Sequence, residues 1–277
     1  MIPQSDKAET FRRLHEKGSC FVIPNPWDLG SARLLEHLGF KALASSSAGF
    51  AYSIARSDLT ISKSSLMTHL TGVCEVTSLP VSADLQNGFG NDPEDMAVTI
   101  LQAARTGIVG GSIEDASGDS GNPVYPLALA AERIRHAAVA AKSLGFKFML
   151  TARAENFIYE RPDLADTIRR LQAYQEAGAD VLFAPGVKTK EDIASIIRSI
   201  DRPLNVLAGL PGMQLTVADL QELGVTRISL GGTLARAAYG ALMRAAAEVN
   251  TQGTFDYTRE AASRGELERI FSRGQMP

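Results

Sequence analysis

Eight short apolar runs, each closed by Gly, Pro or polar turn residues, alternate with longer stretches of helical periodicity, and this alternation limits the folds open to the chain. The runs occupy 20–24, 42–46, 80–84, 110–114, 148–152, 181–184, 204–207 and 227–230. Between them, segments such as LGSARLLEHLGF, PEDMAVTILQAARTG, AAERIRHAAVAAKSLG and ADTIRRLQAYQEAGAD repeat apolar residues at three and four, the spacing of one helix face. The runs are unbroken rather than alternating, so a parallel sheet covered by crossover helices is expected. Five helical stretches end in glycine, at Gly39, Gly107, Gly145, Gly178 and Gly224, where a left-handed residue can close the helix before the next strand. A doubly wound open sheet would favour a glycine-rich dinucleotide turn after the first strand, and NPWDLGSA stands there instead. The expected fold is α/β, a (β/α)8 barrel of the TIM type.

Single barrels of this type run to about 250 residues, so 277 residues call for one barrel domain over 1–277. A helical extension is expected at about 254–273, in YTREAASRGELERIFSRG, for packing or for subunit contacts. The formal charge of -3, with 28 Lys and Arg scattered along the chain, supplies no basic field for a phosphodiester backbone, and no nucleic-acid partner is expected. Cys20 and Cys74 have neither a metal-ligand spacing nor a disulfide framework around them. The first residues lack an apolar signal core, and no apolar run approaches the roughly 20 residues that span a bilayer, so no membrane partner and a cytoplasmic location are expected.

In a parallel barrel the chemistry sits at the carboxyl ends of the strands. Strand three ends in SADLQNGFGND, strand four in GSIEDAS and strand five in LTARAENF, which gathers Asp84, Glu114, Asp115 and Arg153 around one mouth. Carboxylates there are costly unless paired or bound to a cation. Spacing alone leaves two readings open: a metal or substrate site, or a structural arrangement in which Asp115 caps a turn and Arg153 neutralises Asp84 or Glu114. His15, His37, His69 and His136 fall in or near helical stretches, away from the strand ends. Trp27 can line the mouth or serve packing. Tyr52 and Tyr125, which follow strands two and four, are candidate proton donors, and the Gly- and Ser-rich segment 115–126 is a candidate lid.

The segments NPWDLGSARLLEHLGFKALASSSAGFA, SADLQNGFGNDPEDM, IED and TARAENF resemble, in the same order, landmark segments of the isocitrate lyase/phosphoenolpyruvate mutase superfamily, over roughly residues 20 to 240. The resemblance implies a (β/α)8 barrel whose eighth helix is exchanged between subunits of a homo-oligomer, a dimer or tetramer. It implies Mg²⁺ (or Mn²⁺) and a small 2-oxo or 2-hydroxy carboxylic acid handled through enolate-like states. Asp84 matches the first Asp of the family's DxDxGxG motif, the direct metal ligand, and Gly88 and Gly90 match its glycines. Glu114 and Asp58 match carboxylates that hold metal-bound waters, and both join Arg153 as the expected catalytic groups. Arg153 matches the arginine that grips the substrate, its planar fork suiting a carboxylate. Ser45, Ser46 and Ser47 fall where that family receives the substrate carboxylate, and Asn205 and Arg236 match further positions near the site. Gln86 replaces the motif's second Asp in the metal set, so one negative charge is missing there.

Two further departures narrow the chemistry. The KKCGH loop of isocitrate and methylisocitrate lyases is DASGDSGNPVYP here, and the Glu that those lyases carry after strand six is replaced by FAPGV. The resemblance therefore implies a metal-assisted carbon–carbon lyase with a minimal site, suited to oxaloacetate-type decarboxylation or hydrolysis. The alternatives are P–C chemistry of the phosphoenolpyruvate mutase or phosphonopyruvate hydrolase type, and a 2-oxo-acid binding protein without turnover.

Overall fold

Val, Ile, Leu and Ala crowd the eight apolar runs, and all eight form parallel strands in a computed structural model that describes residues 2–272. They are β1 (Phe21–Ile23), β2 (Leu43–Ala44), β3 (Val81–Asp84), β4 (Gly110–Glu114), β5 (Met149–Arg153), β6 (Val181–Phe183), β7 (Leu204–Leu207) and β8 (Arg227–Ser229). Neighbouring strands pair in the order β1-β8-β7-β6-β5-β4-β3-β2. The remaining seam, between β1 and β2, is bridged by the Ala44 amide, which donates to the Pro24 carbonyl at 3.0 Å. The sheet is thus a nearly closed barrel.

The helices in chain order are α1 (Gln4–Arg13), α2 (Leu29–His37), α3 (Ser47–Ser53), α4 (Lys63–Val76), α5 (Pro93–Ala104), α6 (Leu127–Lys142), α7 (Leu164–Ala177), α8 (Lys190–Ser199), α9 (Val217–Glu222), α10 (Thr233–Gln252) and α11 (Arg264–Ser272). Local chemistry sets their starts. Asp28 accepts from the Ser31 amide at 2.6 Å while the Ser31 hydroxyl accepts from the Asp28 amide, a capping box that begins α2 right after the β1 turn. Gly39, Gly107, Gly178 and Gly224 take the expected left-handed conformation after their helices. Gly145 does not, and nothing in the structure explains the difference.

The amino-terminal helix α1 was not legible in the polar first residues. It seats Ala8 and Phe11 against Phe21, Ile23, Ala42, Val109, Met149 and Val181, and so plugs the barrel end opposite the strand carboxyl termini. Gly110 makes that plug possible, since a Cβ there would lie 2.9 Å from both the Met149 carbonyl and the Phe11 ring. At the other end of the chain the expected extension is a 3-10 turn, Asp256–Arg259, followed by α11, whose Ile270 is buried and whose Phe271 approaches Gly30 of α2. Residue 273, the last of the predicted span, lies outside the described residues.

The loop after β3 is held from outside the barrel by α6. Arg133, 1% exposed, donates to the carbonyls of Gly90 (2.9 Å), Asn91 (2.6 Å) and Asn87, and its guanidinium stacks 4.3 Å from the Tyr125 ring. Three loop carbonyls lose a donor, and the buried guanidinium's cavity is left open, if this side chain is shortened. Arg133→Met is expected to destabilise the protein by about 2–4 kcal/mol in urea unfolding, with Arg133→Lys recovering only part of the loss.

Candidate active site

Strand register decides which side chains meet at the open end of the barrel. Glu114 pairs with Arg153 across β4 and β5, and Asp84 pairs with Ser112 across β3 and β4. Three adjacent strand ends therefore deliver Asp84, Glu114 and Arg153 to one cavity of about 340 Å³. Small-molecule sites span about 300–1,000 Å³, so this one suits a small ligand. Its lining also includes Ser45, Ser46, Ser47, Asp58 and Asn205, which the sequence pointed to, and Asn25, Glu155, Tyr159 and Arg227, which it did not.

Arg153 is the hub. Its Nη1 donates to Asp84 Oδ1 at 3.0 Å, Nη2 lies 3.1 Å from Glu114 Oε2, and Nε donates to Glu155 Oε1 at 2.8 Å. Burial would lower the guanidinium's proton affinity, but Glu155, Glu114 and Asp84 outweigh it and hold the group well above its ordinary value. The carboxyls respond in the opposite sense. Burial pushes Glu114 well above the usual carboxylate range, with Glu155, Asp84 and Asp115 adding to it against the pull of Arg153. Glu155 is raised for the same first reason, and at the mouth Asp58 is raised by burial and then by Asp84.

The serines do two different jobs. Ser47 donates from its hydroxyl (2.7 Å) and its amide (3.2 Å) to Asp84 Oδ2, and its hydroxyl also lies 3.4 Å from Asp58 Oδ1. Ser45 and Ser46 also hold the backbone: the Ser45 hydroxyl accepts from the Asp84 amide at 2.9 Å, and the Ser46 hydroxyl accepts from the Gly49 amide to start α3. Asn25 ties three strand ends together, accepting from the amides of Leu230 and Gly231 at 2.9 Å each and donating to the Ser45 carbonyl at 3.1 Å. The NPWD segment carried that signal.

Several expected residues stand elsewhere. Gln86 is buried with a left-handed backbone (φ 51), its carbonyl accepts from the Glu114 amide at 3.0 Å, and its side chain does not line the cavity. Arg236 is exposed on α10, away from the lining. Asp115, the neighbour of Glu114, faces outward and accepts from Tyr174 Oη (2.6 Å), Arg170 Nη1 (3.0 Å) and the Glu155 amide (2.8 Å). Its contacts are structural, but they join the turn after β5 and helix α7 rather than capping a turn that follows Asp115. Segment 115–126 folds back on itself through an Ala116–Val124 bridge and contributes no lining residue beyond β4; the wall is made instead by Glu155, Ile158 and Tyr159. Tyr52 is 40% exposed and the Tyr125 hydroxyl donates to Asn91, so neither meets the cavity, nor do Trp27 or the four histidines.

The sequence profile described as Phosphoenolpyruvate phosphomutase matches residues 11–250. The chain belongs to that family. The crystal structure of a candidate lyase/mutase from Burkholderia cenocepacia J2315 superimposes with a TM-score of 0.95 at 49% identity, covering 97% of this chain and 96% of that one. Oxaloacetate decarboxylase of Pseudomonas putida GB-1 is 31% identical over 243 residues, which is 85% of this chain and 80% of the relative. Phosphonopyruvate hydrolase, solved with oxalate and Mg²⁺, is 25% identical with a TM-score of 0.86, covering 98% and 96%. The phosphoenolpyruvate mutase resemblance of the strand-end motifs is thereby confirmed for the family.

The surplus of carboxylates gives a stability test. Glu114→Gln mimics the protonated carboxyl and relieves the buried charge, so it is expected to raise the metal-free protein's unfolding free energy by about 1 kcal/mol at neutral pH. Because the folded-state carboxyl is raised above its unfolded value, the wild type is relatively more stable at low pH and loses stability as pH rises through the raised value. The advantage of the variant therefore grows with pH and vanishes below about pH 4, where both states of Glu114 carry a proton.

Proposed function

We propose that the chain is a carbon–carbon lyase for a small 2-oxo or 2-hydroxy carboxylic acid, working with Mg²⁺ through an enolate-like state. The observation that carries this reading is the imbalance at the mouth: Asp58, Asp84, Glu114 and Glu155 face the single cation Arg153. Hard oxygen donors with excess negative charge fit a divalent cation in kind. In number they fit Mg²⁺ rather than a closed protein cage, because among the described residues no three His, Cys, Asp or Glu side chains converge as a metal cluster, and Mg²⁺ keeps much of its water. Asp84 would hold the ion directly, with Glu114 and Asp58 on its waters. Bound there, the ion supplies Lewis-acid stabilisation of the charge that develops on the oxo oxygen.

The protein's own groups account for the rest. Arg153 fixes the three carboxylates and would offer the N–H groups those contacts leave over to the acid end of the ligand, while Ser47 orients Asp84. In decarboxylation of a 2-oxo diacid the bond to the distal carboxylate breaks, CO₂ leaves, and the electron pair passes into the enolate, which then takes a proton at carbon. Tyr159 is the proposed donor: it lines the wall, and burial followed by Glu114 and Glu155 keeps its hydroxyl protonated. Carbon–carbon rather than P–C chemistry is supported by the small number of cations in the lining, and by the oxaloacetate decarboxylases among the relatives. The long helix α10 buries only Ala235 and exposes Leu242 and Met243, which supports a homo-oligomer assembled through the C-terminal helices. Among the described residues no helix is long and apolar enough to cross a membrane, and we place the enzyme in the cytoplasm.

The test is an NMR time course of the purified protein with Mg²⁺ and oxaloacetate, 2-methylmalate, 2,3-dimethylmalate or phosphonopyruvate. Chelator-sensitive consumption of a carbon acid is the expected result. Asp84→Ala is expected to lower kcat/KM by about 1,000-fold, and Tyr159→Phe to lower kcat by about 100-fold with KM little changed. Binding of these acids without turnover of any of them would overturn the lyase reading, and metal-independent turnover would overturn the role of Asp84.

A further inference from the structure

Arg227 is the sixth charged side chain in the cavity lining, and it takes no part in the acidic cluster. It opens β8, beside Phe21 of β1 and Asn205 of β7, at the end of the strand farthest from the mouth. Its side chain reaches into the barrel interior, where Nε donates to Asn205 Oδ1 at 2.9 Å and Nη2 donates to Thr151 Oγ1 at 3.0 Å. Nη1 has no acceptor, although the residue is only 4% exposed. Both existing partners are neutral. Burial, unopposed by any neighbouring carboxylate, pulls the guanidinium down to about 9.

The other buried arginines make the contrast. Arg170 has Asp115 and Asp166, Arg153 has three carboxylates, and Arg133 spends its donors on three carbonyls and a tyrosine ring. Each has a structural account. Arg227 is a cation shut inside a small cavity with Nη1 to spare, and a buried charge is costly unless something pairs with it. The neighbouring Asn205 and Ser229, joined at 2.9 Å, also line the cavity, so the floor is a polar patch around one positive charge. The cavity is thus electrically bipolar, acidic and metal-suited at the mouth and cationic at the floor.

We propose that Arg227 receives a second oxyanionic group of the substrate, so that the site selects small acids charged at both ends. This rests on the reading of the mouth as the place of the oxo- or hydroxy-acid end. Arg227 then acts as a specificity-determining residue, and Asn205 and Thr151 hold its guanidinium in place.

Isothermal titration calorimetry in Mg²⁺ tests it with ligands that differ at one end only. 2-Hydroxybutyrate, malate and 3-phosphonolactate share the hydroxy-acid end and carry a methyl, a carboxylate or a phosphonate distally; oxalate probes the mouth alone. The wild type is expected to prefer malate over 2-hydroxybutyrate by about 30-fold or more. In Arg227→Met that preference is expected to fall below about 3-fold with oxalate binding unchanged, which also shows an intact fold, and Arg227→Lys should keep most of it. If 3-phosphonolactate rather than malate shows the Arg227-dependent gain, the floor takes phosphonates. Equal affinity for methyl and charged ligands in the wild type, or a preference that survives in Arg227→Met, would overturn the inference. Failure of oxalate itself to bind the wild type would instead overturn the reading of the mouth.

Discussion

One guanidinium holding three carboxylates apart is the interaction on which the site depends. Asp84, Glu114 and Glu155 each place an oxygen within 3.1 Å of a different nitrogen of Arg153. Without that cation the strand ends would bring like charges together in a buried pocket, where mutual repulsion and lost hydration both oppose folding. With it, the cluster is tolerated, with three acidic groups sharing one cation. That surplus of acidic groups is what the proposed divalent ion would answer, and the barrel's register, pairing Glu114 with Arg153, puts it at the mouth.

The surrounding fold protects this arrangement with two further arginines that never reach the cavity. Arg170 takes up Asp115, whose Oδ1 in turn accepts from the Glu155 amide, so an outward-facing pair fixes the backbone that carries an inward-facing carboxylate. Arg133 fixes the loop that follows Asp84 by its carbonyls. Rigid support of this kind counts because a catalytic carboxylate displaced by an ångström loses much of its effect.

Much of this is legible in the sequence. Parallel strands buried on both faces read as unbroken apolar runs, so all eight appeared within a residue or two of their places, and Asp84, Glu114 and Arg153 followed because strand ends carry the chemistry. Facing was harder. Glu114 and Asp115 are adjacent in sequence but project to opposite sides of the barrel wall, and a motif read as letters does not separate them. Glu155 and Tyr159 sit in the irregular turn after β5, where no period marks a direction. Arg227 was missed because it stands at the start of its strand, where side chains are expected to serve packing rather than binding. Gln86 matched a metal motif, yet its left-handed backbone and its bond to the Glu114 amide turn it off the cavity, a consequence of one φ angle.

The charges inside the barrel are therefore arranged for a ligand rather than for the empty protein. An acidic mouth and an unpaired cation at the floor each raise the energy of the folded chain, and they lie in the same cavity without neutralising one another. Had stability alone set these positions, apolar residues of similar volume at Glu114 and Arg227 would have served better. A ligand that brings a cation to one end and an anionic group to the other relieves both imbalances at once. Binding energy is then gained from charges already fixed in place, with little reorganisation left for the moment of reaction.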